Sequence, residues 1–245
     1  LLKKNEVDLF TRSFKTAAVF SLFAGIIVAA TGDFHAVEIA KTQPTKFAAM
    51  ESVWETQKGA PMHLLLWPNE AAETNAVATA SVPGALSFLA FHDTNAEIKG
   101  LKAFPKEERP PVLPVFLSFR LMVVLGTLML LLSLLAVIMP RWKSFVDFKI
   151  FLYIMLAALP LPYITVQLGW LVAELGRQPW IVYGVLKTAV ATSSAVSAAQ
   201  VAFSLIGFTV LYGVLGVIDI YLLIKYAKMG PAKGASGMIQ AKEVA

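Results

Sequence analysis

The 245-residue sequence has no cysteine and only three histidines. Without cysteine there is no disulfide, no thiolate metal site and no cysteine nucleophile, so any bound metal falls to histidine, methionine or carboxylate. Charge is scarce as well: 15% of residues are charged, against about a quarter in soluble domains. With 57% hydrophobic residues and a mean hydropathy of +0.68, water is not the main solvent of this chain. The net charge of +5 does not point to nucleic acid, because the Lys and Arg residues flank apolar stretches instead of sharing a polar face. His35, His63 and His92 are scattered, and no pair has zinc-ligand spacing. No signal-peptide pattern opens the chain, and Leu at position 1 reads as a cut, from a processed subunit or a longer polypeptide.

What is abundant is apolar sequence in bilayer-length runs. Four segments read as transmembrane helices, residues 14–31, 113–139, 148–172 and 201–224, each near or above the ~20 residues that cross a bilayer. Backbone groups in lipid need internal partners, which favours helices for such runs. The fold expected is therefore all-α, an integral membrane helix bundle. Its three parts are residues 1–31 with the first span, a long polar loop at 32–111, and residues 112–245 with three further spans and a tail. Lys3, Lys4, Arg12 and Lys15 precede the first span, Arg141, Lys143 and Lys149 lie between the second and third, and Lys225, Lys228 and Lys233 follow the fourth. By the positive-inside rule those regions are cytoplasmic, and the long loop and the Arg177 loop face the exterior. The small-residue stretch 189–199 reads as a connector or a close-packed helix start.

A few polar residues sit where lipid disfavours them. Arg120, inside the second span, calls for an anionic partner or a wet cavity, unless it snorkels to the outer headgroups. Met122 by position alone reads as ordinary packing. Trp170 and Glu174, four apart at the end of the third span, share a helix face; with Arg177 and Trp180 they form either an aromatic belt with an ion pair or a flat contact for a large cofactor. Pro160 and Pro162 predict a kink in that span. Asp219 in the last span reads as paired with a neighbouring helix or as part of a proton path. In the loop, Phe47, Met50 and Trp54 are spaced as on one face of a short interfacial helix. Lys46 and Glu51 on it either bind a polar headgroup and exchange protons with it, or are simply solvated.

Taken together the motifs become specific. Gly32-Asp33, then Thr42-Gln43-Pro44-Thr45-Lys46-Phe47-Ala48-Ala49-Met50-Glu51 with Trp54-Glu55-Thr56, then Ser118-Phe119-Arg120-Leu121-Met122-Val123, then Pro160-Leu161-Pro162, Gly169-Trp170 and Gly176-Arg177-Gln178-Pro179-Trp180 follow one another along nearly the whole chain. In order and spacing this resembles the C-terminal half of subunit I, the large subunit, of cytochrome bd quinol oxidases.

The resemblance implies the last four helices of a nine-helix subunit in the cytoplasmic (inner) membrane of a bacterium or archaeon, with a short-type exterior loop that binds quinol at Lys46 and Glu51. It implies that Met122 ligates the low-spin heme b with Arg120 as a nearby charge, and that Glu174 is the carboxylate at the high-spin heme b. Trp170 would lie between hemes and Arg177 near heme propionates. Electrons from quinol would reach heme d, or a third heme b, and reduce dioxygen to water, building a membrane potential without pumping. The family's histidine ligands lie in the first five helices, which this chain lacks. Completing the sites then requires the amino-terminal half of the large subunit, as a separate chain or a missing segment, beside oxidase subunit II and membrane lipid. Two other readings stand beside this one: a heme b membrane subunit of a quinol-oxidising complex with a different electron acceptor, and a heme-free transporter or assembly subunit in which Arg120 and Glu174 merely pair.

Overall fold

A computed structural model describes residues 1–4, 6–142, 145–193 and 195–243, with side chains described as far as residue 230. Lys143 therefore lies outside the described residues, and the side chain of Lys233 is not described. Among the described residues the chain is mostly helical, with four helices long and apolar enough to cross a membrane.

The first helix, α1, runs Val7–Thr42, well beyond the apolar run at 14–31, so the long loop starts some ten residues later than hydropathy suggests. It stops where Pro44 follows, since proline pushes the preceding residue out of the helical region. Pro44 then opens the short helix α2, Pro44–Met50, where its missing N–H is harmless. Everything from Thr45 to Met50 is buried, so α2 is a core element and not a helix lying on a surface.

The rest of the loop folds around it. Strands β1 (Gln57–Lys58) and β4 (Glu97–Ile98) pair antiparallel, as do β2 (Met62–Asn69) and β3 (Thr74–Val82). The β2–β3 register shifts between Trp67 and Pro68, so that Pro68 pairs with Asn75. Helix α3, Ala85–Phe91, follows the hairpin and packs on α1, where His92 meets Asp33 at 3.1 Å. Alanines 48, 49, 60 and 90 with Leu86, Leu101 and Val115 form the buried core that ties this region to the start of the next helix. Gly100 is required there by space: a β-carbon would lie 2.4 Å from the Trp54 carbonyl oxygen. The close approach lets Leu101 and Lys102 donate their N–H groups to the carbonyls of Val53 and Trp54.

After Pro110-Pro111 the long helix α4 spans Val112–Ile138 and packs against α1 on one side. Small residues allow the approach: Gly25 faces Leu130, and the Ser21 and Ser133 hydroxyls meet at 2.7 Å. Ser133 gives its own proton to the Met129 carbonyl, so Ser21 is the donor between the helices.

The third span is interrupted as its prolines predict. Helix α5, Lys149–Ala157, ends in a turn, and α6, Leu161–Leu175, restarts with Pro162 in its first turn. Helix α6 packs against α4. It is followed by the antiparallel pair β5 (Trp180–Val182) and β6 (Leu186–Lys187). Residues 189–193 and 195–197 form a connector to α7, Ala198–Glu243, whose helical geometry breaks at Gly230, and Ser194 lies outside the described residues. Helix α7 belongs to a separate compact unit, and its apolar side chains from Val201 to Tyr226, with Asp219, are exposed. The strands are confined to the loops, and every span is helical.

Candidate functional site

Charged residues from three separate segments meet where α2, the N-terminal half of α4 and the end of α6 come together. Glu51 directly follows α2, is 5% exposed, and receives a hydrogen bond of 2.6 Å from Nη2 of Arg120 on α4. Arg120 therefore does not snorkel; the anionic partner its position demanded is Glu51, while its guanidinium also lies over the Phe116 ring at 5.4 Å. Burial raises the Glu51 carboxyl from its ordinary 4.5 to about 7, outweighing the downward pull and hydrogen bond of Arg120.

Lys46, on α2 itself, goes to a different partner set. Its stem crosses Gly176, where a β-carbon would come within 2.9 Å of Cγ. Burial lowers its ammonium from the usual 10.5, the Arg177 charge lowers it further, and Glu174 works in the opposite direction. Glu174 is bound by Nη2 of Arg177, one turn on. Arg120 and Glu174 thus do not pair with each other: each has its own counter-ion.

Met122 is half-buried on α4 with its sulfur turned to α6, where a β-carbon at Gly169 would sit 3.2 Å from Sδ. Gly169 on α6 and Gly176 at its C-cap are about two turns apart, so one side of the helix makes room for both the sulfur of Met122 and the stem of Lys46. Trp170 is 59% exposed.

The donor inventory bears on what this cluster can hold. Nε of Arg120, Nε of Arg177 and Nε1 of Trp180 are buried with no hydrogen-bond partner among the described residues. Buried donors are nearly always satisfied, so unpaired guanidinium nitrogens fit an anionic group brought by a ligand, such as a propionate. A thioether at Met122 and a carboxylate at Glu174 are both usable iron ligands, and only one oxygen of Glu174 is engaged by Arg177. Among the described residues no three His, Asp or Glu side chains gather as a metal cluster.

One participant gives no signal of its own in the sequence. Asn75, on the hairpin, accepts hydrogen bonds from Ser52 Oγ at 2.7 Å and Trp54 Nε1 at 3.1 Å, and donates Nδ2 to the Ser52 carbonyl at 3.1 Å. Only the hairpin pairing brings residue 75 beside residue 52.

Residues 1–231 match the family profile described as cytochrome bd terminal oxidase subunit I. The chain is 35% identical over 239 residues to cytochrome bd ubiquinol oxidase subunit 1 of Bacillus subtilis (strain 168), covering 94% of this chain and 51% of that protein. It is 32% identical to cytochrome bd-II ubiquinol oxidase subunit 1 of Escherichia coli (strain K12), covering 95% of this chain and 58% of that one. Among solved structures, the bd oxidase from Geobacillus thermodenitrificans superposes with a TM-score of 0.70 at 33% identity, over 90% of this chain and 49% of that one. The chain spans about half the length of the curated relatives it matches. With its four candidate spans it is a multi-pass membrane protein, and it belongs to the cytochrome bd terminal oxidase subunit I family.

Proposed function

We propose that this chain is the quinol-binding and heme-binding C-terminal half of the large subunit of a membrane quinol oxidase that reduces dioxygen to water. The observation that carries the reading is the convergence of Lys46 and Glu51 with Arg120, Glu174 and Arg177, two of them with unpaired buried nitrogens. When bound, the hemes, two of type b and a third of type d or b, supply one-electron carriers and the site of dioxygen reduction.

The protein's own residues prepare the rest. Glu51 accepts a proton from a quinol hydroxyl at its carboxylate oxygen, a task matched to a carboxyl poised near 7. Arg120 keeps that carboxylate oriented, and its Nε would be available to an anionic group of a heme that Met122 would help to hold. Lys46, its ammonium destabilised by burial, donates a hydrogen bond to the other quinol oxygen. Glu174, one oxygen of which is left unengaged by Arg177, would help to hold the high-spin heme b, and Nε of Arg177 would be available to a propionate. The exposed Trp170 would offer a flat ring to a heme.

In this reading the loop carrying Lys46 and Glu51 faces the exterior, and the cationic flanks around Arg12, Arg141 and Lys225 face the cytoplasm. Quinol protons leave outside and oxygen-reduction protons enter from inside, so turnover charges the bacterial or archaeal inner membrane. A companion carrying the amino-terminal half of the large subunit and oxidase subunit II complete the assembly. The test is a redox-difference spectrum and a quinol-driven oxygen-consumption assay on the native complex. Bands of b-type heme with oxygen uptake are expected; a complex with no b-heme band would overturn the proposal.

A further inference from the structure

We propose that Asn75 of the β2–β3 hairpin is a positioning residue for quinol oxidation, acting through Ser52 and Trp54 to hold the Glu51 carboxylate against Arg120. The proposal rests on reading Glu51 as the group that takes the quinol proton.

Glu51 leaves α2 in a tight exit. Ser52, the next residue, adopts a left-handed backbone at φ 51°, which disfavours a residue with a β-carbon. Ser52 is also 1% exposed, so neither its hydroxyl nor its carbonyl can be satisfied by water. Asn75 answers both needs with one amide: its oxygen takes the Ser52 hydroxyl and the Trp54 indole N–H, and its nitrogen gives to the Ser52 carbonyl. The amide orientation is determined, because indole Nε1 is a donor only and would face the amide NH2 if the group were flipped. On the far side the same segment is pinned through its backbone, by Leu101 N–H to Val53 and Lys102 N–H to Trp54.

The backbone from 52 to 54 is therefore gripped on two sides, and Glu51, between α2 and that grip, has little freedom to swing from Arg120. The hairpin is shaped for this contact: its register shift falls opposite Asn75, where an extra residue re-aims the neighbouring side chain. The charged group that faces the carboxylate is Arg120 from α4; Lys46 of α2 faces Glu174 and Arg177 from α6 instead. Among the described residues the side chain of Asn75 hydrogen-bonds to Ser52 and Trp54 and to none of these charged groups, so the amide acts through geometry and not through charge.

The test uses the assembled complex with a reduced short-chain quinol. In Asn75→Ala, kcat/KM is expected to fall about 10-fold, and its acid limb to move upward by about one pH unit as Glu51 loses Arg120. The carboxyl band that Glu51→Gln abolishes in the redox-induced infrared difference spectrum should shift in Asn75→Ala, a readout independent of turnover. Thr79→Ala, on the exposed part of the same strand, should leave rate, limb and band unchanged. A lowered rate with an unmoved limb and an unmoved band would overturn the positioning role. Should Asn75→Ala lack the b-heme spectrum of an assembled complex, Ser52→Ala, which removes one of the three bonds, must move limb and band in the same direction, and its failure to do so also overturns the role. If Glu51→Gln retains the full rate and limb, the assignment of Glu51 fails first, and that result is distinct from either outcome at Asn75.

Discussion

Glu51 and Arg120 are 69 residues apart in the chain, and their side chains meet at 2.6 Å with only 4% of the carboxylate side chain exposed. The pair joins the proposed quinol loop to the helix that carries Met122, two residues beyond Arg120. Breaking a buried pair from one side strands the remaining charge, at a cost of about 3–5 kcal/mol. Arg120→Gln is therefore expected to raise the Glu51 carboxyl further and to move the acid limb of quinol oxidation to higher pH. A pH–rate profile of the variant checks this; an unmoved limb contradicts it.

The same carboxyl makes stability depend on pH. Because Glu51 is raised from 4.5 to about 7 on folding, the folded state binds the proton more tightly than the unfolded state. Its stabilising contribution is complete below about 4.5 and is lost as pH rises through about 7. Thermal inactivation midpoints of the solubilised complex across that window should fall with pH, and Glu51→Gln should flatten that part of the curve.

Lys46 is predicted to act on quinol and not on assembly. Lys46→Met keeps the stem over Gly176 while removing the ammonium, so the quinol KM should rise with the heme spectrum intact. Gly176→Ala is a harsher change. Its β-carbon would meet the Val172 carbonyl oxygen at 2.6 Å as well as the lysine stem, and a backbone contact cannot give way like a side chain. A loss of about 1–3 kcal/mol in stability, read by thermal inactivation, is expected with impaired quinol binding.

Met122→Leu preserves volume and removes the sulfur, so the low-spin b-heme band should disappear from the redox-difference spectrum. Gly169→Ala should produce a smaller displacement of the same band, because Sδ, 3.2 Å from the added carbon, has to yield by only a few tenths of an ångström. An unchanged spectrum in Met122→Leu would return that methionine to ordinary packing.

Glu174 and Arg177 are expected to behave as a unit. Arg177→Leu frees both carboxylate oxygens but removes the unpaired Nε, while Glu174→Gln keeps hydrogen bonding and removes the charge. Both should perturb the high-spin b-heme signal and leave the low-spin band in place. Loss of the low-spin band alone would reverse the assignment of the two hemes.

The membrane character was legible from composition and run length, because lipid imposes a one-dimensional demand: some twenty apolar residues, all helical. Hence four spans were readable, and so was the break at Pro160 and Pro162. The loop was harder. Spacing of Phe47, Met50 and Trp54 suggested a helix, but a periodic face does not say whether neighbours cover the other side, and here they bury Thr45 to Met50 completely. The extension of α1 to Thr42 was equally hidden, since helix can continue past the apolar run into polar sequence.

The sequence by itself determined the four apolar spans and the set of charged, thioether and aromatic side chains proposed to carry the chemistry, because hydropathy and side-chain type are intrinsic to each residue. Only the tertiary structure decided who meets whom: that Arg120 answers Glu51 and not Glu174, that Lys46 crosses Gly176 toward Arg177, and that Asn75 closes on Ser52. Those pairings depend on long-range contacts whose geometry follows from packing α2 between α1 and α4 and folding the hairpin back, distances that no local spacing encodes.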